Sequence, residues 1–168
     1  DGDGMPDDCD VDITLHEGNN LVSFYALPDN GTDVETFFDG SSVYQIIGQG
    51  VSSVINNAGD WVGSLDAIYG EDGYWVRVGL DDNEEEHFEV QGSVVAPISH
   101  TLSEGSNLLS YTYATTQSLS GAIPAEAADV TFAIVGEGVA AINIGAWVGS
   151  LADNVTGGLR GGKGYWFT

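Results

Sequence analysis

Thr14-Leu15-His16-Glu17-Gly18-Asn19-Asn20-Leu21-Val22-Ser23-Phe24 is answered, 87 residues on, by Thr101-Leu102-Ser103-Glu104-Gly105-Ser106-Asn107-Leu108-Leu109-Ser110-Tyr111. Three more blocks repeat in the same order. Tyr44-Gln45-Ile46-Ile47-Gly48-Gln49-Gly50-Val51 matches Phe132-Ala133-Ile134-Val135-Gly136-Glu137-Gly138-Val139. Trp61-Val62-Gly63-Ser64-Leu65 matches Trp147-Val148-Gly149-Ser150-Leu151, and Gly73-Tyr74-Trp75-Val76 matches Gly164-Tyr165-Trp166-Phe167. The offsets of 87, 88, 86 and 91 differ only by small loop insertions. The chain is therefore one module of about 85 residues written twice.

Each copy reads as short strands. Leu21 to Tyr25 and Leu108 to Tyr113 alternate around small residues. Val43 to Ile47 is β-branched and runs into the turn signal Gly48-Gln49-Gly50. Val51 to Ile55, Trp61 to Leu65, Tyr74 to Val78 and His87 to Val90 complete the first copy. One short helix is expected in each. Thr32-Asp33-Val34-Glu35 has the capping-box pattern with Thr32 as the cap, and Pro124 suits the first turn of its counterpart. Many short strands and 24 glycines predict a mainly β fold. The expected architecture is two tandem, pseudo-symmetric β-sandwich or barrel-like repeats, 13–97 and 98–168, packed together behind an acidic linker, 1–12.

The first copy continues past Gly-Tyr-Trp-Val into His87–Val90, whereas the second stops at Thr168. The leading expectation is that the last strand of copy two is lost to truncation, processing or disorder. The alternative is an open sheet edge completed by a neighbouring chain, which would make the protein a filament subunit.

The balance of 26 acids against three bases, Arg77, Arg160 and Lys163, gives a net charge of −23. Phosphate recognition needs clustered Lys and Arg, so nucleic acid and anionic membrane surfaces are excluded as partners. No apolar run is long enough to span a bilayer. The acids are uneven: residues 1–97 hold 21 of them and 98–168 only five. The cluster Asp81 to Glu89 reads as a solvated loop or protected strand edge. The single cysteine, Cys9, has no disulfide partner within the chain.

Asp1-Gly2-Asp3-Gly4-Met5-Pro6-Asp7-Asp8-Cys9-Asp10 spaces carboxylates for a hard cation. Asp1 and Asp3 fall third and fifth in a calcium loop, Gly4 at the sharp turn, Met5 offers its carbonyl, and Asp7 and Asp10 fall ninth and twelfth. The first ligand would precede residue 1, so the chain is expected to be a piece of something longer. This stretch resembles the thrombospondin type 3 repeat, and more loosely dockerin and EF-hand loops. The resemblance implies extracellular calcium held by Asp1, Asp3, Met5, Asp7 and Asp10, with Cys9 where such repeats often carry a cysteine paired with a neighbouring repeat. The duplicated module, with Gly-x-Asn-Leu-(Val/Leu)-Ser early and Gly-Tyr-Trp late, resembles repeats of large secreted or surface proteins of marine and environmental bacteria. That resemblance implies a non-catalytic extracellular module.

No residue pattern nominates an enzyme. His16, His87 and His100 show no zinc spacing, and are read as surface or loop residues. Gly63-Ser64-Leu65 lacks the nucleophile-elbow pattern, and the glycine-rich turns lack a following Gly-Lys-Ser/Thr. The aromatics Trp61, Tyr74, Trp75, Trp147, Tyr165 and Trp166 are the candidate ligand contacts. Successive strand residues face opposite ways, so one of Tyr74 and Trp75 is core. The leading expectation is thus an extracellular structural or adhesive module, its partners neighbouring domains or copies of the same protein. A carbohydrate-binding module that stacks sugars on these rings is the second.

Overall fold

The computed structural model describes residues 10–29, 31–94, 98–153 and 155–168. The fold is mainly β and carries the repeat. In the first unit β1 (Asp10–His16), β2 (Gly18–Val22) and β3 (Ala26–Leu27) precede a short helix, α1 (Val34–Phe37). There follow β4 (Val43–Ile47), β5 (Ser52–Ile55), β6 (Trp61–Gly63), β7 (Tyr74–Val78), β8 (Glu85–Gln91) and β9 (Ser93–Val94). The second unit has β10 (Asn107–Ser110), α2 (Leu119–Ala122), α3 (Ala125–Ala128), β11 (Ala133–Gly136), β12 (Val139–Asn143), β13 (Trp147–Val148), a 3-10 turn (Ser150–Ala152) and β14 (Gly164–Phe167).

Two antiparallel five-stranded sheets have the same strand order, β2-β7-β4-β5-β6 and β10-β14-β11-β12-β13. Each matched sequence block supplies the equivalent strand of its sheet. The inner face of the first sheet (Val43, Ile46, Val76, Val78) packs on the two-stranded ribbon β1–β8 through Val11, Ile13, Leu15, Phe88 and Val90. Phe24, Phe37, Phe38 and Phe88 meet there at ring-centroid distances of 4.8–6.4 Å. The second unit has its own smaller core of Tyr111, Leu119, Ile123, Ile134, Ala141, Leu151, Leu159 and Tyr165.

Local details differ from the sequence expectations. Asp33, not Thr32, caps α1, because its carboxylate accepts the Thr36 amide at 2.9 Å. Pro124 stands at the cap of α3 in an extended conformation rather than in the first turn, and α2 is an additional turn of helix before it. The strands predicted over 21–25 and 108–113 end at Val22 and Ser110, because the chain there leaves its sheet to meet the other unit. Strand β1 includes Asp10 to Asp12, residues inside the stretch read as linker.

The repeated motifs account for the turns. Gly18 and Gly105 take φ +89° and +97°, values that glycine adopts without strain. Asn20 Oδ1 accepts the His16 amide at 2.9 Å while its Nδ2 donates to the His16 carbonyl at 2.8 Å. Asn107 does the same with Ser103 at 2.8 and 2.9 Å. Gly73 and Gly164 are needed for space instead. A Cβ on Gly73 would lie 2.8 Å from the Leu109 carbonyl oxygen, and one on Gly164 would lie 2.7 Å from that of Val22. Backbone cannot yield as a flexible side chain can. Gly73→Ala and Gly164→Ala are therefore each expected to cost about 1–3 kcal/mol in urea unfolding. Gly79→Ala, whose Cβ would meet Tyr44 at 3.5 Å and the Ser42 carbonyl oxygen at 4.0 Å, both ordinary contacts, should stay within roughly 0.5 kcal/mol of wild type.

Candidate functional site

The two units meet along a junction whose main backbone contacts recur reciprocally, whereas Ser23 Oγ, which donates to the Lys163 carbonyl at 2.7 Å and accepts the Tyr111 amide at 3.2 Å, has no matching bonds at Ser110. Ser23 N donates to the Gly162 carbonyl at 3.1 Å, and its counterpart Ser110 N donates to the Glu71 carbonyl at 3.1 Å. Val22 bridges Lys163 and Leu109 bridges Asp72, both antiparallel. Leu21 and Leu108 are buried, yet belong to neither core. Leu108 lies over Gly73 and Leu21 over Gly164. The short segment just before each Gly-Tyr-Trp motif thus bridges to the edge strand of the opposite unit's sheet.

The turn between the second and third sheet strands of each unit completes the junction. Glu137 Oε2 accepts the Leu21 amide at 3.0 Å, and Gln49 Oε1 accepts the Leu108 amide at 2.8 Å. Gln49 Nε2 also donates to the Ser106 carbonyl at 3.1 Å. The turn is placed by Tyr74 and Tyr165, whose rings lie against Gly48 and Gly136. Their buried hydroxyls accept the Tyr69 and Arg160 amides at 2.8 and 2.9 Å. Burial is the main reason both phenols titrate above the ordinary tyrosine range.

The two halves differ in charge. Glu137 receives His16 Nε2 at 2.5 Å and lies 3.7 Å from Lys163 Nζ, whereas Gln49 is neutral. His16 Nδ1 lies 2.7 Å from the Glu17 carbonyl, so both ring nitrogens face acceptors and the protonated ring satisfies both. The Glu137 hydrogen bond raises the His16 pKa above its ordinary 6.5, helped by the Glu17 carbonyl. Burial alone would push Glu137 upward. The Leu21 amide, His16 and Lys163 outweigh it and hold the carboxyl below its ordinary 4.5. His16, read as a surface residue, is exposed, and its ring joins the two units through Glu137.

The candidate aromatics separate into two groups. Tyr74 and Tyr165 are buried, which removes them as ligand platforms. Trp61 and Trp147 are partly buried and pack against the two cores. Trp75 and Trp166 lie half-buried on the outer sheet faces. Trp75 pairs with Ile47, and Val54 pairs with Val62, in exposed rows; Trp166 pairs with Val135, and Ile142 with Val148, at the equivalent positions. Arg77 stands beside the first row, 5.4 Å above the Tyr44 ring.

Asp1, Asp3, Met5 and Asp7 lie outside the described residues. Asp10 opens β1. Among the described residues no group of three or more His, Cys, Asp or Glu could hold a metal ion, and no helix is long and apolar enough to cross a membrane. No family model, curated protein or solved structure matches the chain. The junction residues Gln49 and Glu137 were not singled out from sequence. The available signal was a polar acceptor at the same place between two glycines in both copies.

The pH dependence follows from the pair. Glu137, with its lowered pKa, contributes fully above pH 4.5 and loses its contribution as pH falls through its folded value. His16, with its raised pKa, contributes fully below pH 6.5 and loses its contribution as pH rises through its folded value. The difference in unfolding free energy between wild type and His16→Gln should therefore be largest between these limits and shrink on either side. The pair is partly exposed, so its size should be about 1 kcal/mol or less. Glu137→Gln should remove this pH dependence yet keep an acceptor for Leu21, while Glu137→Ala should cost about 1–3 kcal/mol at every pH.

Proposed function

We propose that the protein is a non-catalytic structural or adhesive module of a larger secreted or cell-surface bacterial protein, with a calcium-stabilised linker at its start. The observation that carries this reading is the reciprocal junction. Apart from the outer-face pairs Trp75 and Trp166, Val62 and Val148, the side chains that recur between the copies serve turns, the cores or the closing of one unit's sheet edge with the other. Closed edges resist pairing with stray strands, and high negative charge keeps the module soluble where salt or calcium screens it. The linker ligands would be Asp1, Asp3, Met5, Asp7 and Asp10.

A rigid two-unit spacer should unfold as one body. Pulling a single chain by its ends is expected to give one dominant rupture, and Gly164→Ala should lower its force. Two independent ruptures in wild type would argue against a spacer built on the junction. Calorimetric titration with calcium should show binding in the range of extracellular modules, Kd of about 0.1–1 mM, abolished by Asp3→Ala with Asp7→Ala.

Trp75 and Trp166, on apolar outer faces, favour polysaccharide as a second reading. A glycan array probed with wild type and with Trp75→Ala and Trp166→Ala decides it. Binding lost in both variants supports sugar recognition, and binding absent or unchanged removes it.

A further inference from the structure

Charge is as uneven in space as it is along the chain. Residues 1–97 hold 21 acids, yet none of them falls in the five strands of the first sheet. The ribbon over the inner face carries acids instead, with Asp12 on β1 and Glu85 and Glu89 on β8 all exposed. The outer face of the sheet carries the one base of this unit, Arg77, which is exposed. Among the described residues, Arg77 forms no ion pair. In a chain of 26 acids, this guanidinium is left open to a carboxylate from outside.

Two cross-strand rows make up the centre of that face. Leu21, Trp75 and Ile47 form an apolar row, and Asn19, Arg77 and Gln45 form a polar one beside it. Trp75 and Arg77 are two positions apart on β7, so they share a face at a spacing of about 7 Å. Arg77 is held in place. Its Nη1 donates to Gln45 Oε1 at 3.4 Å, and its guanidinium stands 5.4 Å from the centre of the Tyr44 ring. The register shift between Val43 and Gln45 makes Tyr44 the extra residue that lies there. Both β7 and β4 are paired on each side, so no backbone edge is open for an added strand. A ligand on this face is held by side chains alone: a half-buried indole, a guanidinium and two amides. The second unit repeats the indole as Trp166 but has Thr168 for Arg77 and Ala133 for Gln45.

We infer that the outer face of the first sheet binds an acidic saccharide: a uronate ring stacks on Trp75, Arg77 takes its carboxylate, and Gln45 and Asn19 bond its hydroxyls. The inference rests on the polysaccharide reading, and adds to it the charge class of the sugar and the unit that recognises it. An acidic peptide has no open edge to pair with here. The chain's negative charge repels an anion at long range, but salt screens that repulsion beyond about 8 Å, whereas the Arg77 pair forms at contact. Trp166 contributes ring stacking without selecting for charge.

The test titrates the whole chain, in calcium-free buffer at about 0.15 M salt, with tetramers of galacturonate and of mannuronate and with the same tetramers methyl-esterified at their carboxyls. At least one acid tetramer is expected to bind about tenfold or more tightly than its ester. Arg77→Gln, at an exposed position, should bring acid binding down to the level of the ester and leave the unfolding midpoint unchanged. Arg77→Lys should recover only part of the loss, because an ammonium cannot make the paired bonds of a guanidinium. Trp75→Ala should weaken acid and ester alike. The inference is overturned if neither acid tetramer binds, if the esters bind as tightly as the acids, if Arg77→Gln leaves acid binding unchanged, or if tetraglutamate binds as tightly as the sugars. Ester binding that depends on Trp75 but not on Arg77 would leave the polysaccharide reading standing and remove this one. A glycan array with no binding at all would remove both.

Discussion

A sheet edge is a row of backbone donors and acceptors that something must satisfy. Here the outermost strands β2 and β10 each turn one edge toward the other unit. Leu21 N is met by Glu137, Leu108 N by Gln49, and the next amides by carbonyls of the segments that precede β14 and β7. The closeness of Gly73 and Gly164 to the opposing backbone, the burial of Leu21 and Leu108 and the early ends of both strands all follow from this mutual closure. Neither unit can complete its own first strand.

The repeated motifs then read as parts of one device. Glycine and asparagine shape the turn that delivers the edge strand, and the Gly-x-Gly turn lifts a polar acceptor toward the neighbour. The tyrosine of Gly-Tyr-Trp braces that turn through its ring, while its hydroxyl holds the loop behind. The Trp-Val-Gly-Ser-Leu block packs Leu65 and Leu151 into the two cores and uses Ser64 and Ser150 to receive the Ser52 and Ala140 amides. Where the copies depart from one another, as at Glu137 against Gln49 or Lys163 against Asp72, a charge cluster replaces a neutral contact on one side only.

Much of the sheet architecture was legible in the residues because period-two alternation and internal repetition are local signals. Val43–Ile47 and Tyr74–Val78 were placed to the residue. The strand ends at Val22 and Ser110 were not, because alternation continues in sequence beyond the point where the chain changes partners. The choice of Asp33 over Thr32 as helix cap turned on one residue of register between two competent caps. The junction was the least visible, since Gln49 and Glu137 each look like an ordinary exposed turn residue until the opposite unit stands beside them. His16 was rightly read as a surface residue, but its pairing with Glu137 was invisible for the same reason: the partner is 121 positions away.

The junction is also isologous in form: the same surface of each unit meets its equivalent on the other. Two free copies of one such unit could satisfy that geometry only by colliding, and dilution would part them. Covalent linkage in tandem turns that encounter into an intramolecular one, with an effective local concentration on the order of millimolar or more. Closure of this protein is consequently indifferent to how scarce it is.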